Sequence, residues 1–158
     1  AAIDALEVMG RQAVSAVPAL VRALSDGDRF VRWAAARALG QVRPVNADTV
    51  VAPLARLLAD PDGDLRLAAA ATLGAYGPVA RGAVPALVEA ARSREPELRL
   101  AALRALERIG SDDTAALDVL NAALGDSDGR VRQAAAEALQ KVGPPRREAV
   151  DAMLRPHQ

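Results

Sequence analysis

The sequence predicts an all-α protein, an α-solenoid built from two-helix repeats, and two observations carry that prediction. Two apolar motifs alternate along the chain with a nearly fixed period, and each has the spacing of one helical face. Aromatic residues make up only 2% of the chain, so the core must be built from Ala, Leu and Val. A single helical hairpin cannot bury its own apolar stripe, and the repeats are therefore expected to stack into an elongated array.

The longer motif marks the second helix of each repeat. Its four complete copies are 34, 33 and 33 residues apart and begin at Val31, Leu65, Leu98 and Val131. A partial copy occupies residues 1–6. In the first complete copy, apolar residues at helical spacing predict a core face made of Val31, Ala35, Ala38, Leu39 and Val42.

The shorter motif marks the first helix, and its copies begin at Val17, Val51, Val84, Leu117 and Val150. Aspartates in the turn between the two helices, such as Asp26 and Asp28, can accept the free amides of a helix start. Glycines follow the second helix at four positions, and a left-handed helix cap is expected at Gly10, Gly77, Gly110 and Gly143.

The period divides the chain into a single repeat domain over 1–158. We expect a half repeat at 1–12, four full repeats at 13–43, 44–77, 78–110 and 111–143, and a half repeat at 144–158. An extra residue in 43–47 predicts a local bend. The incomplete end repeats are typical of a segment of a longer chain, whose remaining repeats, or a second copy stacked end to end, would then be partners.

The charge composition argues against nucleic acid and membranes as partners. Acidic and basic residues both number 20, which gives a net charge of zero, and residues of both signs are interspersed. Of the basic residues all but Lys141 are arginines, and we interpret most of them as solvated or paired with nearby acids. The chain has no cysteine and no apolar run long enough to span a bilayer. We therefore expect neither nucleic-acid binding nor membrane insertion.

These residues resemble the HEAT repeat, in particular the short HEAT-like form found in many bacterial proteins and in phycobilin lyases. The resemblance rests on a proline in the first helix (Pro18, Pro85), an aspartate at the turn, an arginine six residues later and the Ala-rich second helix. TPR repeats have a similar period but carry large aromatic residues that are rare here. The resemblance implies a right-handed superhelix with the second helices on its concave surface.

The resemblance also implies a ladder of hydrogen bonds between the turn aspartates and the arginines along the stack. Its members would be Asp26, Arg32, Asp60, Arg66, Arg99, Asp126 and Arg132. Ser93 replaces the turn aspartate before Arg99, so we expect the ladder to be irregular around Arg99.

Catalytic and metal-binding patterns are absent from the sequence. His157 is the only histidine, and it lies two residues before the end. The alternating carboxylates of Asp60, Asp62 and Asp64 superficially resemble the start of a calcium loop. The glycine and glutamate that such a loop needs are replaced by Leu65 and Ala71, and helix capping explains the aspartates. We expect no catalytic residue, no cofactor and no metal site.

A candidate binding surface lies on the second helices. At 100° per residue from Val31, Trp33 falls at about 200° and is expected to point away from the core. Its equivalents in the next two repeats are Leu67 and Leu100, so these three residues form a predicted apolar stripe. Its expected flanking residues are Arg37, Arg104 and Glu137. The alternative is that neighbouring second helices pack closely enough to cover the stripe.

The sequence therefore favours a non-enzymatic scaffold that binds a protein or peptide segment through its second helices. Two alternatives stay open: an accessory HEAT-like domain of an enzyme, including the lyase type that acts on tetrapyrroles, and an internal spacer of a larger protein. A DNA-lesion-binding HEAT protein would need a strongly basic groove with aromatic residues, which the neutral charge and single tryptophan disfavour.

Overall fold

The computed structural model describes residues 15–42 and 48–142, and this part of the chain is helical without strands. The first helices of successive repeats are α1 (Val17–Ala23), α3 (Asp48–Leu57), α5 (Val84–Ala90) and α7 (Thr114–Ala123). The second helices are α2 (Arg29–Gln41), α4 (Gly63–Tyr76), α6 (Pro96–Ile109) and α8 (Gly129–Val142). A 3-10 helix, Gly77–Ala83, connects α4 to α5.

The helices form two layers, and each layer contains one helix of every repeat. In one layer α2, α4, α6 and α8 pack side by side in chain order, and in the other α1, α3, α5 and α7 do the same. Each first helix also packs on the second helix of its own repeat. The chain is therefore an α-solenoid, as the period predicts.

The core lies between the two layers and consists of aliphatic side chains. The fully buried leucines include Leu39, Leu73 and Leu106 from the second helices and Leu54, Leu87 and Leu120 from the first. Alanines fill the remaining space, with Ala36, Ala70, Ala102 and Ala135 all fully buried. Small side chains let the helices approach each other closely, which is why so few aromatic residues are needed.

The assignment of Val31 to the core is wrong, since this side chain is 39% exposed. Its equivalents Leu65, Leu98 and Val131 are all buried. A described second helix precedes the helix of each of these three residues in the stack, whereas the second helix predicted before α2 belongs to the half repeat 1–12, outside the described residues. The buried face of α2 is centred on Ala35, Ala36 and Leu39.

Aspartate side chains form Asx turns at the starts of α2, α4 and α8. In the first repeat Asp26 Oδ1 accepts the amide of Asp28, and Asp28 Oδ1 then accepts the amide of Phe30, both at 2.8 Å. The same two bonds recur at Asp60 and Asp62, and at Asp126 and Asp128. The capping role predicted for these aspartates is therefore confirmed.

The two described glycines that follow a second helix, Gly77 and Gly110, differ in conformation. Gly110 has φ 68° and ψ 37°, the left-handed conformation expected of a helix cap. Gly77 also has a positive φ of 61°, but its ψ of −138° lies outside the left-handed region, because the chain turns directly into the 3-10 helix. The caps predicted at Gly10 and Gly143, the first-helix motif at Val150, the bend at 43–47 and His157 lie outside the described residues.

An arginine ladder connects the turns of successive repeats. Each arginine donates from one Nη to two backbone carbonyls of its own turn: Arg32 to Asp26 and Gly27, Arg66 to Asp60 and Pro61, Arg99 to Ser93 and Arg94, and Arg132 to Asp126 and Ser127. In Arg32, Arg66 and Arg99 the other side of the guanidinium faces the turn of the following repeat. This geometry connects neighbouring repeats through one side chain.

The contacts between the ladder arginines and the acids of the next turn differ in geometry. Arg99 donates from Nε and Nη2 to both carboxylate oxygens of Asp126 at 2.7 Å. Arg32 Nε lies 3.4 Å from Asp60 Oδ2 and makes no hydrogen bond within the described part of the chain. Within the same residues, no arginine faces the carboxylate of Asp26 and no carboxylate faces Arg132.

The expected irregularity at Arg99 is wrong, because the changed rung is the one at Arg66. In the third repeat Ser93 Oγ accepts the amide of Glu95 at 3.1 Å, which replaces the turn bond of the missing aspartate. Glu95 does not cap its own helix, and its carboxylate instead accepts a hydrogen bond from Arg66. Ser93 and Glu95 thus divide between them the two functions that one aspartate performs at Asp60 and Asp126.

Candidate functional site

The only tryptophan of the chain lies on an open face between α2 and α4. Trp33 is 37% exposed and Leu67 is partly buried, so two members of the predicted apolar stripe do reach the surface. The guanidinium of Arg37, one turn later on α2, lies over the Trp33 ring at 4.7 Å from its centroid. This cation–π contact holds both side chains along the same edge of the face.

These residues border a groove of about 760 Å³, which we call the α2/α4 groove. From α2 it is lined by Trp33, Arg37, Gly40 and Gln41, and from α4 by Leu65, Leu67, Ala68, Ala71, Thr72 and Ala75. The floor is apolar because α4 carries no charged residue between Arg66 and its end at Tyr76. A surface of this shape and size can hold a few side chains of a partner.

The α4 side of the groove is fixed to α2 by two side-chain hydrogen bonds. Thr72 Oγ1 donates to the carbonyl of Ala36 at 3.0 Å, and Tyr76 Oη donates to the carbonyl of Leu39 at 2.7 Å. Desolvation raises the pKa of Tyr76 to about 12, so its hydroxyl stays protonated and keeps donating at neutral pH. The spacing of the two groove walls is therefore set by specific bonds as well as by packing.

Charged residues close the N-terminal end of the groove. Arg29 Nε lies 2.8 Å from Asp62 Oδ2, and Arg29 Nη2 lies 3.4 Å from Asp64 Oδ2. The Arg29 guanidinium also lies 5.3 Å from the centroid of the Phe30 ring. Two of the aspartates that resemble a calcium loop are thus paired with an arginine, and the described residues contain no cluster of acids or histidines arranged for a metal ion.

Phe30 is the groove residue that sequence reasoning missed. It is 68% exposed at the start of α2, next to Trp33 at the mouth of the groove. A signal was present in the repeat alignment, because the equivalent positions hold the polar residues Asp64, Glu97 and Arg130. An aromatic residue at an otherwise polar, outward position is a mark of a binding surface.

The prediction that Leu100 extends the apolar stripe is wrong. Leu100 is only 9% exposed and belongs to the core cluster. The helix that carries it, α6, packs against α4 and α8. For Trp33 and Leu67 the open face remains, and the stripe is two repeats long.

The remaining predicted site residues lie outside the groove. Arg104 is exposed on α6, at the repeat position that Arg37 occupies on α2. Glu137 is exposed on α8, where its carboxylate accepts a hydrogen bond from Gln133 at 2.8 Å. The structure therefore brings Trp33, Arg37 and Leu67 together and leaves Leu100, Arg104 and Glu137 apart from them.

Comparison with known families decides the identity of the repeat. Residues 1–74, 50–140 and 84–155 match the family described as HEAT repeats. The chain belongs to the HEAT-repeat family. Its two-layered stack of helical pairs, with the arginine ladder at the turns, is the structural form of these repeats in this chain. Among curated proteins, no significant match to this HEAT-repeat chain is found.

Among the solved structures with a similar fold are two engineered proteins and a designed armadillo repeat protein. One engineered protein is 29% identical with a TM-score of 0.70, and the alignment covers 87% of this chain and 66% of that protein. A second engineered protein is 30% identical with a TM-score of 0.68, covering 87% of this chain and 41% of that protein. A designed armadillo repeat protein in complex with the peptide (KR)4 is 20% identical with a TM-score of 0.68, covering 82% of this chain and 65% of that protein.

The HEAT-repeat chain thus spans less than two thirds of the length of each of these three proteins. Together with the family match, they identify it as a helical repeat scaffold. In the described residues no helix is long and apolar enough to cross a membrane.

Proposed function

We propose that this HEAT-repeat chain is a non-enzymatic interaction module that binds a protein segment in the α2/α4 groove. One observation carries the proposal: the chain has three aromatic residues, and two of them, Phe30 and Trp33, are exposed at the mouth of the same groove. Exposing two large aromatic side chains to water is unfavourable unless a partner covers them. Tryptophan is also among the residues that contribute most to binding at protein interfaces.

The chemistry of the groove supports binding over catalysis. Its polar groups are Arg29, Arg37, Gln41, the Thr72 hydroxyl bonded to Ala36, and the two aspartates already paired with Arg29. A general acid or base needs a titratable group free to exchange a proton with a substrate. A lyase-type accessory domain would need such groups to converge on the floor of the groove, and here the floor is alanine and leucine. An internal spacer, in contrast, gives no reason for exposed aromatic residues.

Peptide display on the 158-residue chain tests the proposal. Selected peptides are measured against a groove variant, Trp33→Ala with Leu67→Ser, and against a control variant, Val79→Ser with Leu124→Ser. Val79 and Leu124 are exposed apolar residues that do not line the groove, so the control removes a similar amount of apolar surface elsewhere. We expect the groove variant to weaken binding about 30-fold, as for loss of a central aromatic contact, and the control to bind as the unmodified chain does.

Two outcomes of the same experiment would contradict the proposed function. Peptides that bind both variants equally would place binding on another surface, and the absence of any specific peptide would favour the spacer. Leu100→Ser is left out of the groove variant because this residue is buried, and its loss would unfold the chain instead of testing the surface. The change in Trp33 fluorescence on peptide binding gives an independent signal, since the chain contains one tryptophan.

A further inference from the structure

Exposed arginines flank the groove on the second-helix face. Arg37 on α2 and Arg104 and Arg108 on α6 are all exposed, and within the described residues none of them has a carboxylate partner. By contrast, the cations at the ends of the second helices are paired, Arg29 with Asp62 and Arg130 with Glu97 and Asp128. The three flanking arginines are therefore available to an outside anion.

Between these arginines the surface is apolar and uncharged. The intervening helix α4 offers Leu67, Ala68, Ala71 and Ala75, and Ala71 holds the repeat position that Arg37 and Arg104 hold on the neighbouring helices. Arg108 lies beside α4, with its Cδ 3.6 Å from the place where a side chain would start at Gly74. An apolar strip thus runs between a positive edge on α2 and a positive edge on α6.

The carboxylates next to the strip on α4 and α6 are paired with cations, and Glu137, at the repeat position of Arg104 on the neighbouring helix α8, is exposed and accepts a hydrogen bond from Gln133. Asp62 and Asp64 face Arg29, and the mostly buried side chain of Glu107 on α6 pairs with Lys141. Across α2, α4 and α6 the charge presented to a ligand is therefore positive, although the chain as a whole is neutral. A partner segment rich in lysine or arginine would meet like charges on both sides of the strip.

We propose that the α2/α4 groove binds an acidic, amphipathic peptide segment that lies across α2, α4 and α6. The inference rests on the proposed function and names the chemistry of its partner. A bulky apolar side chain of the segment packs on Ala71 beside Leu67 and Trp33, and carboxylates on either side of it pair with Arg37 and Arg104.

The contact between Arg37 and Trp33 favours this arrangement. The Arg37 guanidinium lies over the Trp33 ring and has no carboxylate partner within the described residues, so its N–H donors are available to a carboxylate, which a guanidinium can bind with two parallel hydrogen bonds. The ring also limits the rotamers of Arg37, which lowers the entropy lost when a ligand binds.

The geometry sets the spacing of the two acids. Neighbouring packed helices lie roughly 8–10 Å apart, so Arg37 and Arg104, two helices apart, are separated by about 16–20 Å. An extended peptide rises about 3.3 Å per residue. The two carboxylates of the segment are therefore expected about five or six residues apart, with the apolar residue between them.

The test uses three labelled synthetic peptides of equal length and measures Kd by fluorescence anisotropy. The first has a Leu-Phe centre flanked by glutamates at the stated spacing, the second carries lysines in place of the glutamates, and the third carries serines in place of the apolar centre. We expect the first peptide to bind at least about tenfold more tightly than either of the others, at physiological salt.

Charge reversal on the protein provides the matched control. Arg37→Glu with Arg104→Glu is compared with Arg22→Glu with Arg56→Glu, two exposed arginines of the first-helix layer that also have no carboxylate partner within the described residues. Both variants change the net charge equally. The first is expected to lose at least about tenfold affinity for the glutamate peptide and to gain affinity for the lysine peptide, and the second to leave both unchanged.

The outcomes separate this inference from the proposed function. If display peptides depend on Trp33 and Leu67 but the lysine peptide binds as well as the glutamate peptide, the groove binds and the acidic partner is wrong. The same holds if Arg37→Glu with Arg104→Glu changes nothing, or if single-stranded DNA displaces the glutamate peptide. If no peptide depends on Trp33 and Leu67, the proposed function itself fails.

Discussion

At the residue scale, Arg99 shows how one side chain connects two repeats. Its guanidinium donates to the carbonyls of Ser93 and Arg94 in its own turn and to both oxygens of Asp126 in the next. Both side chains of the Arg99–Asp126 pair are mostly buried, whereas the Arg130–Glu97 pair on the same helices is open to water. A shielded pair joined by two short hydrogen bonds is expected to contribute more to stability than an exposed one.

Asp126→Asn is therefore expected to lower the free energy of unfolding by about 2 kcal/mol at pH 7, because a mostly buried guanidinium loses its counter-charge. Glu97→Gln is the matched control, and we expect it to leave stability nearly unchanged because its pair is exposed. Urea denaturation followed by circular dichroism measures both. Equal losses of unfolding free energy in the two variants would contradict a larger contribution from the buried Arg99–Asp126 pair.

The same pair sets a dependence of stability on pH. Hydrogen bonds from Arg99 hold the pKa of Asp126 below its usual 3.8, so the folded state favours the ionised carboxylate. This stabilisation is complete above the unfolded pKa and is lost as pH falls through the lower folded pKa. Between pH 5 and pH 2, the unmodified chain should therefore lose more stability than Asp126→Asn does.

Tyr76 gives a second prediction at this scale, because it is the only tyrosine of the chain. Its pKa is raised to about 12 by desolvation, so the ultraviolet titration of the folded chain should have its midpoint near pH 12. The effect of pH on stability is opposite to that of Asp126. The stabilisation that comes from the protonated Tyr76 hydroxyl is complete below the ordinary pKa of 10.0 and is lost as pH rises towards 12. A midpoint near 10 would mean that the hydroxyl is in water.

Replacing the tyrosine hydroxyl isolates its hydrogen bond. Tyr76→Phe should lower the free energy of unfolding by only about 1 kcal/mol. The carbonyl of Leu39 still accepts a hydrogen bond from the amide of Val42, so it is not left without a partner.

At the element scale, glycine controls how closely the second helices pack. Gly40 on α2 faces Thr72 of α4, and at the equivalent repeat position Gly74 on α4 faces Ala105 of α6. A Cβ at Gly74 would lie 3.1 Å from the Cα of Ala105, a backbone atom that cannot rotate away. At the next junction Glu107 takes this position and pairs with Lys141.

Gly74→Val is expected to lower the free energy of unfolding by about 2 kcal/mol, because the added methyl groups force α4 and α6 apart. The neighbouring Ala75→Val is its control: Ala75 is exposed, so only the lower helix propensity of valine applies, at about 0.6 kcal/mol. Thermal or urea unfolding compares the two. Similar losses of unfolding free energy in the two variants would show that α4 and α6 can move apart without losing contacts.

Helix positions followed from the sequence more reliably than side-chain exposure did. Periodic apolar residues and turn aspartates depend on local chemistry, so α2, α4 and α8 each begin directly after a capping aspartate. The exposure of Trp33 and the burial of Leu100 depend on which helices lie on either side, and a helical wheel contains no such information. Glu95 was missed for a related reason, since its partner Arg66 is 29 residues away in sequence.

At the scale of the whole molecule, the repeat explains both what could be predicted and what could not. Four nearly identical units predict one architecture, and the family match and the solved structures confirm it. A binding site, however, depends on the departures from the repeat, and single departures such as Phe30 or Ser93 carry little weight in one sequence. The α2/α4 groove lies where the departures are greatest, at the aromatic residues of α2.

Because Ser93 accepts the turn amide and Glu95 accepts the hydrogen bond from Arg66, the third repeat cannot be exchanged freely with the others. Arg66 is matched to an acceptor at position 95, whereas Arg32 and Arg99 are matched to the aspartate at the first turn position of the next repeat, Asp60 and Asp126. Moving the third repeat to another place in the stack would therefore leave its acceptor two residues away from the usual position. The repeats are alike in shape, but the junction between the second and third repeats differs from the other two, so the side chains at this junction favour one order of the repeats.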